Sequence, residues 1–510
     1  MSAGIVGSEL DFVILLTLSV VIAIAVKKYI KVPYTIALVL FGIIISFFNI
    51  THIELTKEMI FFFFLPPLLF EGAIHFDANH LKENLKVIGS LAFFGIIITT
   101  AVIGLIVNHF LGIPLLYALL FGAIIAPTDP ISVLALFKKL GVDKKLSVIV
   151  EGESIFNDGT GIVMFIIILG LIETGTFSLT GTIQEFIVVS LGGLAVGLII
   201  GYFAYQFCRS IEDNTIEVLI TLILAYASFI IAEHFFHVSG VMAVVAGGML
   251  MGNTGKRLAM GPSVRIAINS FWEIVAFIIN SLIFILIGLQ IPIVTLVNYW
   301  YYILIGILAV IAARSVAVYG ILFILNLSKS KLDKKWFHII NWGGIHGSVP
   351  VALILGLPAI LYKEEISAMV YGGVLFSLVV QGFTMAPIIN SLGIIKKSEK
   401  KTKYQYLYAK RVALNQTLDE IRRMHREGRI SDEKLAKLDK EISSDLKKIN
   451  ANIDKIDDGK HIFKDRYKEI KEELLMLKKN IYMELANDGG LDEDNLHKLV
   501  FEVDSELDRH

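Results

Sequence analysis

Two carboxylates and an amide occupy a place where the flanking residues call for hydrocarbon. The segment Gly152-Glu153-Ser154-Ile155-Phe156-Asn157-Asp158-Gly159-Thr160-Gly161 continues directly into Ile162-Val163-Met164-Phe165-Ile166-Ile167-Ile168-Leu169. Counted from Lys145 at the expected membrane surface, a helix rising ~1.5 Å per residue carries Asp158 to roughly 20 Å depth in a ~30 Å core. An acid there costs ~3 kcal/mol on insertion scales, so the default reading is a station on an ion or proton path. Ser154 and Asp158 are four residues apart and share one helical face, with Glu153 and Asn157 on the adjacent stripe. Carboxylates, hydroxyls and freed carbonyls are the hard oxygen ligands that a small alkali cation takes. A cation and a proton neutralise the same buried carboxylate, so each excludes the other, and that exclusion couples their movements.

Other charged residues sit at comparable depth. Glu71 and Asp129 have apolar sequence on both sides, and Arg314 lies within Ile311-Ala312-Ala313-Arg314-Ser315-Val316-Ala317-Val318, where it requires an acidic partner. Glu151, Glu233 and Glu273 are nearer the ends of their segments. Glu151 is expected to be wet, and the other two to cap or to reach the interface.

The elements that must hold these groups are membrane helices. Mean hydropathy is +0.70 and 55% of residues are hydrophobic. The charge is unevenly spread: of 46 Lys+Arg and 47 Asp+Glu, residues 396–510 hold 26 and 25. The chain therefore divides into a polytopic membrane domain, 1–395, and a charged helical cytoplasmic tail, 396–510. Thirteen spans are expected, near 10–29, 33–49, 58–76, 86–107, 114–136, 145–172, 182–208, 215–236, 239–252, 266–289, 295–326, 337–357 and 366–391. With the N-terminus outside, the inward loops hold seventeen Lys or Arg residues and the outward loops only Lys57 and Lys363, which satisfies the positive-inside rule. No cleavable leader is evident, because Met1 to Leu10 carries no basic residue and the first apolar run is long enough to span.

Two spans read as broken. Ala126-Pro127-Thr128-Asp129-Pro130 places two prolines inside the fifth, which frees the carbonyls of Ala123 and Ala126 from helical partners. Trp342-Gly343-Gly344-Ile345-His346-Gly347-Ser348-Val349-Pro350-Val351 interrupts the twelfth. Thr128-Asp129-Pro130-Ile131 and Ser348-Val349-Pro350-Val351 are similar and lie seven spans apart, hence in opposite orientations. That is the pattern of inverted repeats with crossed discontinuous helices around a midplane site.

At this level of detail residues ~10–395 resemble the monovalent cation/proton antiporters of the NhaP and NHE type. The marks are Leu68-Leu69-Phe70-Glu71-Gly72, Thr128-Asp129-Pro130, Glu153-Ser154-Ile155-Phe156-Asn157-Asp158-Gly159 and Trp342-Gly343-Gly344. The resemblance implies that Asp158 alternates between Na+ (or another monovalent cation) and H+, helped by Asp129, Thr128, Ser154 and Glu71. It also implies that Glu153 pairs with Arg314, with Asn157 hydrogen-bonded near that pair. The implied fold is a homodimer of all-α, polytopic, thirteen-helix protomers in the plasma membrane. Relatives with two adjacent acids where this chain has Asn157-Asp158 are associated with moving net charge. The Asn-Asp pair therefore implies electroneutral, one-for-one exchange. A K+/H+ antiporter, or a channel or sensor on the same scaffold, remains an alternative.

One departure stands out. Relatives commonly carry arginine in the twelfth span where this chain has His346. Neutral His346 either hydrogen-bonds a freed carbonyl or water, or protonates on acidification and modulates the site. The tail opens on Lys396, Lys397, Lys400, Lys401 and Lys403, a collar suited to anionic lipid headgroups. A helix follows with Leu407, Val412, Leu414, Leu418 and Ile421 at roughly helical spacing and a break at Gly428, then helices near 432–456 and 461–486 and an acidic end, and the tail is expected to regulate or to contact a second protomer. It has no nucleotide fingerprint, and nothing points to nucleic acid. Neither an enzyme nor a bound cofactor is expected: Cys208 is the single cysteine, and the histidines lack metal-ligand spacing apart from His234 and His237 at a span end.

Overall fold

A computed structural model describes most of residues 2–394 and 399–455. It omits 30–33, 48–55, 57, 176–178, 212, 257–259, 261, 292, 328–331 and 427–428, and describes only scattered residues beyond 455. The described residues contain helices and no strand, and the chain divides into two compact units, Met1–Ile395 and Lys396–His510.

In the first unit the helices are α1 (Ser2–Tyr29), α2 (Tyr34–Ser46), α3 (Met59–His75), α4 (Ala78–Leu111), α5 (Leu115–Ile125), α6 (Ile131–Leu140) and α7 (Lys144–Thr174). They continue with α8 (Leu179–Arg209), α9 (Asn214–Phe235), α10 (Gly240–Gly255), α11 (Pro262–Gln290), the short α12 (Ile293–Asn298) and α13 (Trp300–Leu327). The last three are α14 (Lys334–Trp342), α15 (Ser348–Leu355) and α16 (Lys363–Ser391). Among the described residues seven apolar helices, including α4, α7, α11, α13 and α16, are long enough to cross a membrane unaided. The first expected position holds the 28-residue α1, and the others hold shorter or interrupted helices. The fifth and twelfth spans are two half-helices each: α5 and α6 flank residues 126–130, and α14 and α15 flank residues 343–347.

Helix starts follow from local chemistry. Aspartates at 77, 143, 213 and 333 cap α4, α7, α9 and α14, each accepting a hydrogen bond from the backbone N–H two residues on. Gly112, Gly141 and Gly175 close α4, α6 and α7 in the left-handed conformation. Glu233 caps the start of α10, receiving the Gly240 N–H at 3.1 Å. Apolar side chains that would be out of place in water, such as Ile199, Phe203 and Phe207 of α8, stand outward and exposed, as hydrocarbon solvent permits.

Packing places α11 at the centre of one group, against α1, α2, α3 and α9, while α7 packs on α4, α5, α6 and α8. Small residues set the closest approaches. Gly42 of α2 and Gly288 of α11 face one another so tightly that a Cβ on Gly42 would strike the Ile285 carbonyl, and one on Gly288 the Val39 carbonyl.

The second unit contains α17 (Glu399–Arg426) and α18 (Asp432–Lys455). Leu407 near the start of α17 packs with Ile449 and Ile453 near the end of α18, and Arg422 pairs with Asp439 at 3.0 Å, so the two helices run antiparallel. Lys396, Lys397, and nearly all of the expected third tail helix and the acidic end, lie outside the described residues.

Backbone atoms cannot yield as side chains do. Gly42→Val and Gly288→Val are therefore each expected to destabilise the protein by ~1–3 kcal/mol. Gly89→Ala and Gly320→Ala, where nothing lies within 4 Å of the added carbon, should be neutral or slightly stabilising in thermal melts of the purified protein.

Candidate functional site

The two helix breaks satisfy one another. The Asp129 backbone N–H donates to the Ile345 carbonyl at 2.6 Å, and His346 Nδ1 lies 3.0 Å from the Pro127 carbonyl. A ring nitrogen facing a carbonyl must carry the proton, so His346 is the donor. Its own backbone N–H is held by the Ser377 hydroxyl at 3.1 Å. This geometry is that of the carbonyl-supporting reading of His346, a buried residue set back from the cavity described below. The carbonyls that receive side chains at the junction are those of Pro127 and Thr128. The chain leaves the helix after Ile125, and Asp129 Oδ1 takes the Ile131 N–H at 2.9 Å, the donor a continuous helix would have given Pro127. Asp129 thus also braces the start of half-helix α6, from the position before its N-cap Pro130.

Helix α7 crosses this junction with two differently occupied stripes. Ser154 Oγ donates to the Thr128 carbonyl at 2.6 Å, and Asn157 Nδ2 donates to Thr128 Oγ1 at 2.9 Å. Asn157 Oδ1 lies 3.4 Å from the Thr128 N–H, so its amide is committed to Thr128 from both ends. Glu153 and Arg314 form an ion pair at 2.5 Å, with side chains 3% and 11% exposed, and Arg314 also donates to the Ile340 carbonyl at 3.2 Å. Gly344 makes room for this guanidinium, because a Cβ there would lie 2.8 Å from Arg314 Nε.

Between α3, the two breaks, α7 and α11 lies a cavity of about 130 Å³. Asp158, Asp129, Thr128, Ser154 and Glu71 all line it, whereas Glu153, Asn157 and Arg314 do not. Glu71 is partly exposed and lies 3.4 Å from His75 Nδ1, one helical turn on. The wall also carries Glu151, expected from sequence to be merely wet, and two residues that were not anticipated, Ser348 and Asn280. The available signal for Asn280 was an amide inside the apolar run Ile278-Ile279-Asn280-Ser281-Leu282-Ile283. Several oxygen ligands around a space of this size can hold a monovalent cation with part of its water, or a proton on one carboxylate.

Residues 15–391 match the model of the transmembrane sodium/hydrogen exchanger family. The chain belongs to that family. Among its relatives, the Na+/H+ antiporter ApNhaP of Aphanothece halophytica is 40% identical over 413 residues, 79% of each chain. The low-affinity Na+/H+ antiporter NhaS1 of Synechocystis is 35% identical over 501 residues, 96% of this chain and 95% of that one, so the exchanger similarity reaches into the tail. The solved structure of the sodium proton antiporter MjNhaP1 from Methanocaldococcus jannaschii at pH 8 superposes with a TM-score of 0.63 at 25% identity, covering 75% of this chain and 97% of that one. An all-helical, multi-pass membrane exchanger fold is therefore established for residues that include every member of the cavity wall.

Removing one partner of a buried ion pair strands the other. Glu153→Gln and Arg314→Met should each cost ~3–5 kcal/mol, and the double variant much less than their sum. Strictly additive shifts in the melting temperatures of the purified variants would contradict direct contact.

Proposed function

We propose that this exchanger moves Na+, or Li+ in its place, against H+ across the plasma membrane, one for one, by alternating access. Asp158 is the exchanging carboxylate, and Thr128, Asp129, Ser154 and Glu71 complete the cation site. The observation that carries this reading is the convergence of these five residues on one cavity between the two helix breaks.

The chemistry follows from what each group has left to give. Asp158 lies among Leu65, Leu69 and Ile155 on the cavity wall, so its charge must be neutralised by a proton or by a cation. Asp129 has committed one carboxylate oxygen to the Ile131 N–H and retains the other. The Ser154 proton is directed to the Thr128 carbonyl, which leaves the hydroxyl lone pairs available as ligands. Asn157, fastened to Thr128, adds no titratable group beside Asp158, in keeping with a single exchanging carboxylate and no net charge moved. Glu153 and Arg314 tie α7 to α13 as a permanent, silent pair.

In this scheme the N-terminus faces outward and the tail lies in the cytoplasm, as the loop charges require. The functional unit is a homodimer in lipid, with no resident cofactor, and the tail regulates exchange or joins protomers.

Asp158→Asn should abolish exchange by reconstituted protein while leaving it folded. In the native protein, acid should raise the apparent KM for sodium, approaching about tenfold per pH unit where protons hold the site, with a smaller change in the rate at saturating sodium. A KM independent of pH would contradict competition at one carboxylate. The steady exchange rate should also be unchanged when a valinomycin-clamped potential is varied at fixed ion gradients, and a clear voltage dependence would reject one-for-one exchange.

A further inference from the structure

Asn280 lies deep in α11, 6% exposed, in a run that is otherwise isoleucine, leucine and phenylalanine apart from Ser281. It lines the same cavity as Asp158, and among the described residues its side-chain amide forms no hydrogen bond. With no protein partner, an amide on the cavity wall is left available to whatever occupies the cavity, water or a cation. Its position has a second property. Asn280 is the cavity residue supplied by α11, which packs mainly on α2 and α9, whereas Ser154 and Asp158 come from α7, packed mainly on α4, α5 and α8, and both helices touch α3 and α15.

We propose that Asn280 is a further cation ligand, its amide oxygen coordinating the transported ion, directly or through one of its remaining waters, from the α11 side of the cavity. This inference rests on the exchange site centred on Asp158. The chemistry separates its contribution from those of the carboxylates. An amide oxygen is a hard, neutral acceptor suited to an alkali cation, and it binds no proton in the working pH range. Asn280 therefore strengthens cation binding without taking part in proton competition, and it favours the cation over the proton at a site where Asp158 serves both. Asn280 is also able to select by size, because a fixed oxygen on a separate helix limits how far the coordination shell can expand.

The test is sodium- and lithium-driven proton exchange by the full-length protein in proteoliposomes, measured as apparent KM and maximal rate across pH. Asn280→Leu keeps the volume of the side chain and removes its oxygen. It should raise the apparent KM for sodium about tenfold, the loss of one good ligand, with less than about a twofold change in maximal rate and with the pH dependence of KM retained. Asn280→Asp, which keeps a hard oxygen in place, should hold the sodium KM near or below the wild-type value at alkaline pH. The ratio of lithium to sodium KM should shift in Asn280→Leu. If that variant does not fold, Asn280→Ser, smaller and still oxygen-bearing, should show an intermediate rise in KM. A sodium KM within about twofold of wild type in a folded Asn280→Leu protein would overturn the proposal, as would a fall in maximal rate at unchanged KM. Asp158→Asn run in parallel separates the two readings. Lost exchange in that variant with an unaltered KM in Asn280→Leu rejects Asn280 alone, whereas retained exchange in Asp158→Asn rejects the site and Asn280 with it.

Discussion

In hydrocarbon there is no water to take up a stray N–H, carbonyl or charge, so every polar group at depth must be answered within the protein. That constraint organises the whole of the first unit. Residues 126–130 and 343–347 leave the helix where the cost is greatest, and each break supplies what the other lacks. The Asp129 N–H finds Ile345, the Pro127 carbonyl finds His346, and the Thr128 carbonyl finds Ser154. Neither break would be tolerable alone. Together they form a polar island held by short bonds from three separate stretches of chain, and the cavity is the part of that island not filled by its own atoms.

Helix α7 divides its polar residues between two tasks. Glu153 is saturated by Arg314, and Asn157 by Thr128, so that stripe contributes fixed structure. Ser154 and Asp158, on the neighbouring stripe, face the cavity, where Asp158 has no basic partner to settle its charge. A carboxylate with a resident cation, like Glu153, cannot exchange anything at useful cost, because displacing Arg314 strands a buried charge. A carboxylate without one must borrow its neutralising charge from solution. In the proposed scheme stability and transport thus draw on two acids five residues apart on α7, and the arginine decides which of them is held fixed.

What was legible in the sequence follows from the same energetics. Charges in apolar runs are rare enough that Glu153, Asp158, Asp129, Glu71 and Arg314 stand out individually, and prolines in a span announce a break without any knowledge of its neighbours. The pairwise geometry was less accessible. The bond from the Ile131 N–H to Asp129, the commitment of Asn157 to Thr128, and the use of the Pro127 and Thr128 carbonyls as acceptors all depend on where the helix stops, to within a residue or two. Asn280 was overlooked and Glu151 undervalued for a related reason: a lone amide within a span or an acid near a span end is ordinary, and only tertiary packing determines whether its face meets lipid, protein or a cavity. The lengths of the spans were less legible for the converse reason, since apolar composition does not mark where short or interrupted helices such as α2, α5 and α10 begin and end.

The histidine at 346 can be understood from the charges already present. Arg314 is threaded past Gly344, two residues from His346, and its guanidinium is already matched by the one acid within reach, Glu153. A second permanent cation at 346 would need a counter-charge of its own, and the nearest unmatched carboxylates are those that line the cavity. Answering it would therefore draw Asp129 or Asp158 away from the transported ion. The Pro127 carbonyl asks only for a donor, which a neutral imidazole supplies without adding charge. In this chain the break is thus supported by an imidazole hydrogen bond, which in the proposed scheme leaves the cavity carboxylates to the proton and the cation.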